Sequence, residues 1–220
     1  MNFTNRNSIL FDLDGTLTDS SEGIFKSTEY ALNKFGIEVE DLNTLRPFIG
    51  PPLVDAFSEY YHFSEEDAKK ATSFYRERYM TVGKFENRVY DGIKECLETL
   101  VKNGKKLYLA TAKPELYAVQ IMEHFGLDKY FTFMGGAMFE GSRTHKPQVI
   151  EYVLAENNIA VSDAVMVGDR HHDIEGAHDN NIPCIGVLYG FGDRKELENA
   201  NADAIVNDVK ELTEIFLKAE

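Results

Sequence analysis

Hydrophobic and polar positions follow two different rhythms along the 220-residue chain. Residues 8–11, Ser-Ile-Leu-Phe, form a short apolar run that predicts a buried strand. From residue 20 to about residue 80, apolar positions recur every three to four residues, as on one face of a helix. No convincing strand pattern lies between residues 17 and 84, so this stretch is predicted to be an all-helical insertion.

Three helices are predicted within the insertion. The first begins near Ser20 and ends before Gly36, since glycine is a common C-terminal stop. Leucine, valine and aromatic residues between positions 53 and 61 mark the second. The third begins at Ser64, which has an acidic residue three positions later as in a capping box, and it runs to about Met80.

From residue 91 onward, short apolar strands alternate with helices. The strands are predicted at residues 107–110, 131–134, 164–167, 184–187 and 204–206. Such alternation is typical of a parallel sheet that helices cover on both faces. The strand at 8–11 must join that sheet. We therefore predict an α/β fold with a Rossmann-like parallel-sheet core, residues 1–17 and 86–220, and an all-helical cap domain, residues 18–85, inserted after the first strand.

Composition narrows the class of partner. The formal net charge is -14 and the sequence pI is about 4.9, so the surface repels phosphate backbones and nucleic acid is not expected as a partner. No run approaches the ~20 apolar residues of a membrane span. Residues 1–8 lack the apolar stretch of a signal peptide, and Cys96 and Cys184 fit buried, reduced thiols. These features predict a cytoplasmic protein without a membrane partner.

The sharpest chemical signal is Asp12-Leu13-Asp14-Gly15-Thr16, directly after the first strand. Ligands of parallel sheets bind beyond the carboxyl ends of the strands. Two carboxylates two residues apart at such an end are typical of a metal site in which one carboxylate is not needed as a metal ligand. Asp-Gly is also common turn chemistry, so the pentapeptide alone leaves both interpretations open.

Three other segments supply matching chemistry. Thr111 follows the strand at 107–110, Lys146 precedes a proline that opens a helix, and Asp169 and Asp173 follow the strand at 164–167. Phosphoryl transfer to a carboxylate requires such groups. A metal ion and a lysine neutralise the phosphate, and a hydroxyl donates a hydrogen bond to it.

These motifs occur in the order of the four motifs of the haloacid dehalogenase-like superfamily, which the chain resembles over essentially its whole length. The segments at 111–114, 167–170 and 186–190 are most similar to the phosphoglycolate phosphatase-like branch. Within that branch, residues 48–53, Phe-Ile-Gly-Pro-Pro-Leu, resemble 5′-nucleotidase-like members. The resemblance implies a Mg²⁺-dependent phosphatase for a small phosphorylated metabolite, either phosphoglycolate-like or a nucleoside monophosphate.

The resemblance also implies roles for individual residues. Asp12 corresponds to the nucleophile that becomes an aspartyl-phosphate. Asp14 would protonate the leaving group and later take a proton from water, while its backbone carbonyl ligates the metal. Thr111 would hold a phosphoryl oxygen, and Lys146 would screen the phosphate from Asp12.

The implied metal site consists of acidic oxygens, which suit Mg²⁺. Its expected members are Asp12, Asp14 and Asp169, together with Asp173. The last of these fits the orientation of Lys146 or of a metal-bound water better than direct ligation.

Two more cations are candidates for substrate binding. Arg46, in the predicted cap, is expected to bind an acidic or phosphorylated leaving group, with the stiff turn at residues 50–52 beside it. Lys113 lies close to Thr111 and is expected to help bind substrate. For both residues, a solvated side chain is the competing interpretation. His171 and His172 suggest zinc, but variable loop residues beside an oxygen-ligand site fit better.

Several alternatives stay open. A dehalogenase is disfavoured because family dehalogenases lack an acid equivalent to Asp14. A sugar-phosphate mutase or an inorganic pyrophosphatase would use the same core chemistry. A phospho-accepting signalling domain is the non-enzymatic alternative, although it would need neither Asp14 nor a cap. The sequence leaves open the physiological substrate and the choice between a monomer and a homodimer.

Overall fold

The computed structural model describes residues 2–139 and 141–217. Within these ranges the chain forms two compact units. One consists of the chain up to Thr18 and from Val89 onward, and the other is Asp19–Arg88. We call them the sheet unit and the helical unit. None of the helices in the described part is both long and apolar enough to cross a membrane.

A six-stranded sheet forms the centre of the sheet unit. The strands along the chain are β1 (Ser8–Phe11), β2 (Thr18–Asp19), β3 (Arg88–Val89), β4 (Lys106–Pro114), β5 (Phe131–Ala137), β6 (Ala164–Gly168), β7 (Cys184–Val187) and β8 (Ala204–Val206). The order across the sheet is β5-β4-β1-β6-β7-β8, and every neighbouring pair is parallel. This arrangement confirms the predicted α/β, Rossmann-like fold class.

The short strands β2 and β3 pair in a separate two-stranded sheet where the chain passes between the units. Neither strand was predicted, because two residues are too few to show a strand period. The Arg88 guanidinium lies 2.9 Å from the Asp19 carboxylate at this point of the helical unit.

The helical unit contains α1 (Ser21–Asn33), α2 (Leu53–Tyr61) and α3 (Glu65–Thr81), with 3₁₀ segments at Leu42–Phe48 and Gly83–Phe85. The α3 start is as predicted, since Ser64 Oγ accepts a hydrogen bond of 3.1 Å from the Asp67 amide. At the other end of α3, Arg78 donates hydrogen bonds of 2.6 and 2.9 Å to the two oxygens of Glu86. This bidentate pair fixes the end of the helix against the segment that leaves the unit.

Helices cover both faces of the six-stranded sheet. They are α4 (Ile93–Lys102), α5 (Glu115–Phe125), α6 (Lys146–Glu156), α7 (His171–Asp179), α8 (Arg194–Asn199) and α9 (Val209–Leu217). Because side chains alternate along a strand, Ile9 and Phe11 of β1 pack into one core with α4, α5 and α9, whereas Leu10 packs into a second core with α6, α7 and α8. Burial on both faces explains why β1 is an uninterrupted apolar run.

One strand is longer than its sequence pattern. The run at 107–110 predicted an end before Thr111, but β4 continues to Pro114 because Thr111 and Pro114 pair with Gly136 and Ala137 of β5. The register shifts between these two pairs. Thr111 therefore lies inside the strand, paired with Gly136 of β5, rather than in the loop beyond it.

Candidate active site

A tight turn follows the central strand. The amide of Asp12 still donates to the Val167 carbonyl of β6, at 2.9 Å, and the chain then folds back so that the Gly15 amide donates to the Thr18 carbonyl at 2.8 Å. Gly15 has a φ of +85°, a conformation that side chains disfavour, and a Cβ there would overlap the Asp169 carboxylate. The turn places Asp12 and Asp14 at the carboxyl end of β1.

Three carboxylates meet at this end of the sheet. Asp12, Asp169 and Asp173 are all buried, and each offers an oxygen within 4.8 Å of the others. The pairing of β1 with β6 brings them together, since Phe11 is opposite Val167. Burial, together with the neighbouring carboxylates Asp173 and Asp12, raises the pKa of Asp169 well above its ordinary value.

Lys146 supplies positive charge to this cluster. Its ammonium lies 2.7 Å from Asp12 Oδ1 and 2.7 Å from Asp173 Oδ1, and it donates to the Ala110 carbonyl at 3.1 Å. Burial alone would lower the pKa of Lys146, but the Asp12 and Asp173 carboxylates outweigh it and raise the pKa above its ordinary value. Lys146 therefore has a buried, positively charged side chain that lies between the carboxylates of Asp12 and Asp173.

Asp173 also organises the loop before α7. Its Oδ2 accepts hydrogen bonds of 3.1 Å from the amides of Asp169 and Arg170. A side chain at Gly168 would overlap Asp173, so the end of β6 requires glycine there. Burial raises the pKa of Asp173, and Lys146 opposes that rise. These contacts fit an orienting role as well as a ligand role.

The loop after β7 packs against Asp169. The Phe191 amide donates to Asp169 Oδ2 at 2.7 Å, and a Cβ at Gly190 or Gly192 would overlap Asp169. The Thr16 hydroxyl approaches Asp169 Oδ1 at 3.3 Å. Phe191 and Gly192 were not among the predicted site residues. The sequence Gly190-Phe191-Gly192, which follows the buried strand β7, is the pattern that could have pointed to this contact.

Asp14 and Lys113 form a second ion pair. The Lys113 ammonium lies 2.6 Å from Asp14 Oδ2, with side-chain exposures of only 5% and 13%. Lys113 is therefore not the solvated lysine of the competing interpretation. Its backbone amide donates to the hydroxyl of the buried Thr111 at 3.2 Å.

The sheet unit thus gathers most of the predicted site residues at one edge: Asp12, Asp14, Thr111, Lys113, Lys146, Asp169 and Asp173. Arg46 lies in the helical unit, within the 3₁₀ segment Leu42–Phe48, and is exposed.

His171 and His172, which were expected to be loop residues, form the start of α7, and His171 lies against a different carboxylate. Glu196 Oε1 is 2.7 Å from His171 Nδ1 and 2.8 Å from Arg170 Nε, so these two side chains brace the loop against α8. Burial, with the neighbouring His171 and Arg170, lowers the pKa of His172 to about 4. His171, His172 and Glu175 do bring ligand atoms within 4.8 Å of one another, but His171 is already engaged by Glu196.

The donor set of the carboxylate cluster fits a hard divalent cation. Three buried carboxylates lie close together here, and burial, followed by the charges of Asp173 and Asp12, raises the pKa of Asp169. Oxygen ligands of this kind suit Mg²⁺. Asp12, Asp169 and Asp173 are the side chains that could hold such an ion.

Comparisons with known proteins agree with this chemistry. The sequence model described as Haloacid dehalogenase-like hydrolase matches residues 9–187. A Pseudomonas aeruginosa protein named 5′-nucleotidase is 48% identical over 86% of this chain and 86% of its own length. Tyrosine-protein kinase PtkA of Mycobacterium tuberculosis is 35% identical over 94% of this chain and 70% of its own. A Vibrio parahaemolyticus phosphoglycolate phosphatase is 27% identical over 94% of both.

The fold also matches solved structures. A crystal structure described as a predicted phosphatase from Clostridium acetobutylicum aligns with a TM-score of 0.93 and 51% identity, over 96% of this chain and 98% of that one. The similarity extends across almost the whole of both chains.

Proposed function

The chain belongs to the haloacid dehalogenase-like hydrolase family and is a phosphatase, and from that premise we propose that it depends on Mg²⁺ and forms an aspartyl-phosphate on Asp12. The observation that carries the proposal is the ion pair of 2.7 Å between Asp12 and the buried Lys146, inside a cluster of three carboxylates. It supports a carboxylate poised to react beside groups that neutralise a phosphate.

The reaction has two halves. An Asp12 oxygen bonds to phosphorus while the bond from phosphorus to the leaving oxygen breaks, and Asp14 gives that oxygen a proton. Water then bonds to phosphorus and passes a proton to Asp14 as the bond to Asp12 breaks, which regenerates both carboxyl groups and releases phosphate. Lys146 screens the phosphoryl charge, and the Thr111 hydroxyl donates a hydrogen bond to a phosphoryl oxygen.

The metal would be held by Asp12, Asp169 and the backbone carbonyl of Asp14. When bound, Mg²⁺ supplies the neutralising charge that lets two anions approach each other. Asp173 is assigned to holding Lys146 and the loop before α7, in keeping with its contacts to the Lys146 ammonium and to the amides of Asp169 and Arg170.

We propose nucleoside monophosphates as the first substrate class. The support is the higher identity to the Pseudomonas aeruginosa 5′-nucleotidase than to the phosphoglycolate phosphatase. The helical unit would act as the cap, with Arg46 recognising the leaving group, since the core residues bind only the phosphoryl group. A cytoplasmic location remains a prediction.

The alternatives differ in what they do with the phosphoryl group. A mutase would return it to a sugar, a pyrophosphatase would take it from pyrophosphate, and a signalling domain would retain it. The relative PtkA is named a tyrosine-protein kinase, so transfer of a phosphoryl group to tyrosine is a further alternative. Asp14 beside Asp12 favours rapid hydrolysis, because it can activate the water.

The test is a kinetic screen with purified protein and Mg²⁺. The panel contains nucleoside monophosphates, phosphoglycolate, pyrophosphate, sugar phosphates and phosphotyrosine, ranked by kcat/KM with phosphate release as the readout. We expect nucleoside monophosphates to rank first. Labelling of the protein without phosphate release from any substrate would overturn the proposal in favour of the signalling domain.

A further inference from the structure

The two oxygens of the Asp14 carboxylate have different surroundings. Oδ2 lies 2.6 Å from the Lys113 ammonium. Oδ1 is buried, and no hydrogen-bond partner for it occurs among residues 2–139 and 141–217. A buried carboxylate oxygen without a partner costs free energy, so its presence in a native site calls for an explanation. A group that arrives only with the substrate would provide one.

Lys113 reaches Asp14 from the neighbouring strand. It lies on β4, which pairs with β1, and its amide is tied to the Thr111 hydroxyl at 3.2 Å. With 5% of its side chain exposed, the ammonium has lost most of its hydration and relies on a carboxylate for compensation. The pair is thus part of the folded site rather than a flexible surface contact.

We propose that Lys113 is a positioning residue that anchors Asp14 through Oδ2 and leaves Oδ1 as the oxygen that exchanges protons. This inference rests on the proposed function. In the first half-reaction, Oδ1 gives its proton to the leaving oxygen as the bond from that oxygen to phosphorus breaks. In the second, Oδ1 takes a proton from the water that bonds to phosphorus as the bond to Asp12 breaks.

The anchor matters because the terminal torsion of an aspartate is broad. Without Lys113 the carboxylate turns about its Cβ–Cγ bond, and neither oxygen stays directed at the leaving group. Proton transfer needs a fixed approach, and a misplacement of about 1 Å costs on the order of 10²-fold in rate. Lys113 would therefore act on kcat through Asp14, whereas a substrate-binding lysine would act on KM.

A double-mutant cycle separates these roles. The variants are Lys113→Met, Asp14→Asn and the double variant, each measured with an alkyl phosphate and with the aryl substrate p-nitrophenyl phosphate. For the alkyl phosphate we expect Lys113→Met to lower kcat by about 10- to 100-fold, with KM changed less than twofold. In the Asp14→Asn background, the same substitution should have no further effect on kcat, since the group it positions is gone.

Two results would overturn the inference. One is a rise in KM with kcat kept, and the other is an equal loss of kcat in both Asp14 backgrounds. Should Lys113→Met fail to fold, Lys113→Gln takes its place in the cycle. Its amide can still donate to Oδ2, so it should retain part of the kcat and the same dependence on Asp14.

Lys105 offers a matched control. It is also buried, just before β4, and its ammonium donates to the carbonyl of Arg6 at 2.9 Å, away from the carboxylate cluster. Lys105→Met should lower the melting temperature and leave the ratio of alkyl to aryl kcat unchanged. Asp12→Asn, measured in parallel, tests the proposed function separately. If it loses turnover, the proposed function stands even when Lys113 proves to act on substrate.

Discussion

The Lys146 ammonium lies 2.7 Å from Asp12 Oδ1 and bridges it to Asp173, whose other oxygen accepts from the amides of Asp169 and Arg170. Asp12 and Lys146 are separated by more than 130 positions in the sequence, and they meet because α6 begins beside the carboxyl end of β1. This ion pair keeps the proposed nucleophile in place.

Asp12→Asn should lower kcat by about four to six orders of magnitude, because an amide is a poor nucleophile and a poor metal ligand. The fold should persist, since Lys146 keeps its contacts with Asp173 and Ala110. Circular dichroism and phosphate release provide the measurements. Asp163→Asn is the matched control, because Asp163 precedes β6 at the opposite end of the sheet and binds Ser8. A folded Asp12→Asn protein with substantial activity would refute the mechanism.

Asp14→Asn should slow alkyl phosphates more than aryl phosphates. General acid catalysis contributes about 10²–10⁴-fold, and it matters least for a leaving group that departs without a proton. Single-turnover phosphorylation isolates the first half of the reaction. Equal losses for both substrate types would remove Asp14 from the acid role.

Asp169→Ala should raise the Mg²⁺ concentration needed for half-maximal activity, because it removes a buried anionic ligand. EDTA should silence the wild-type protein, and Mg²⁺ or Mn²⁺ should restore it. Asp179→Ala, at the exposed end of α7, should behave as wild type. Restoration by Zn²⁺ alone would instead point to His171 and His172.

In EDTA, the Asp169 carboxyl should make the wild-type protein less stable than Asp169→Asn as the pH rises above about 3.8, the ordinary pKa of an aspartate. The folded pKa of Asp169 is raised, so above that pH this group binds more protons in the folded state than in the unfolded state, and its contribution to the free energy of unfolding falls through this window. Asp169→Asn removes the titration and should melt higher than wild type at neutral pH. Melting curves from pH 4 to 8 measure the difference, and superimposable pH profiles for the two proteins would contradict it.

Arg46→Ala and Pro51→Ala should change the ranking of substrates, chiefly through kcat/KM, if residues 46–53 select the leaving group. Proline fixes φ at the turn, where Gly50 has a φ of +111°, and the exposed Arg46 offers a cation. Hydrolysis of acetyl phosphate, whose leaving group is small, serves as the control and should barely change. A uniform fall for every substrate, or no change for any, would exclude this role.

The sequence determined the fold class and the family because both depend on local patterns. The buried strand Ser8–Phe11 is apolar on both faces, and the family motifs follow strand ends or precede a helix, where period and turn chemistry are readable without neighbours. The two-residue strands β2 and β3 and the extension of β4 past Thr111 were missed. Both arise from pairing between distant segments, which no local period records.

Only the tertiary structure decided which charged groups meet. The sequence offered Lys113 as a substrate ligand or a solvated residue. The structure excludes the solvated residue, because the Lys113 ammonium is buried 2.6 Å from Asp14 Oδ2. No local pattern connected Phe191 with Asp169 either. The pairing of β6 with β7 brings the Phe191 amide to 2.7 Å from Asp169 Oδ2. An Asp or Lys residue looks the same in the local sequence whichever partner its side chain contacts in the fold. Its partner is fixed by strand order and by the desolvation that makes an unpaired buried charge too costly to keep.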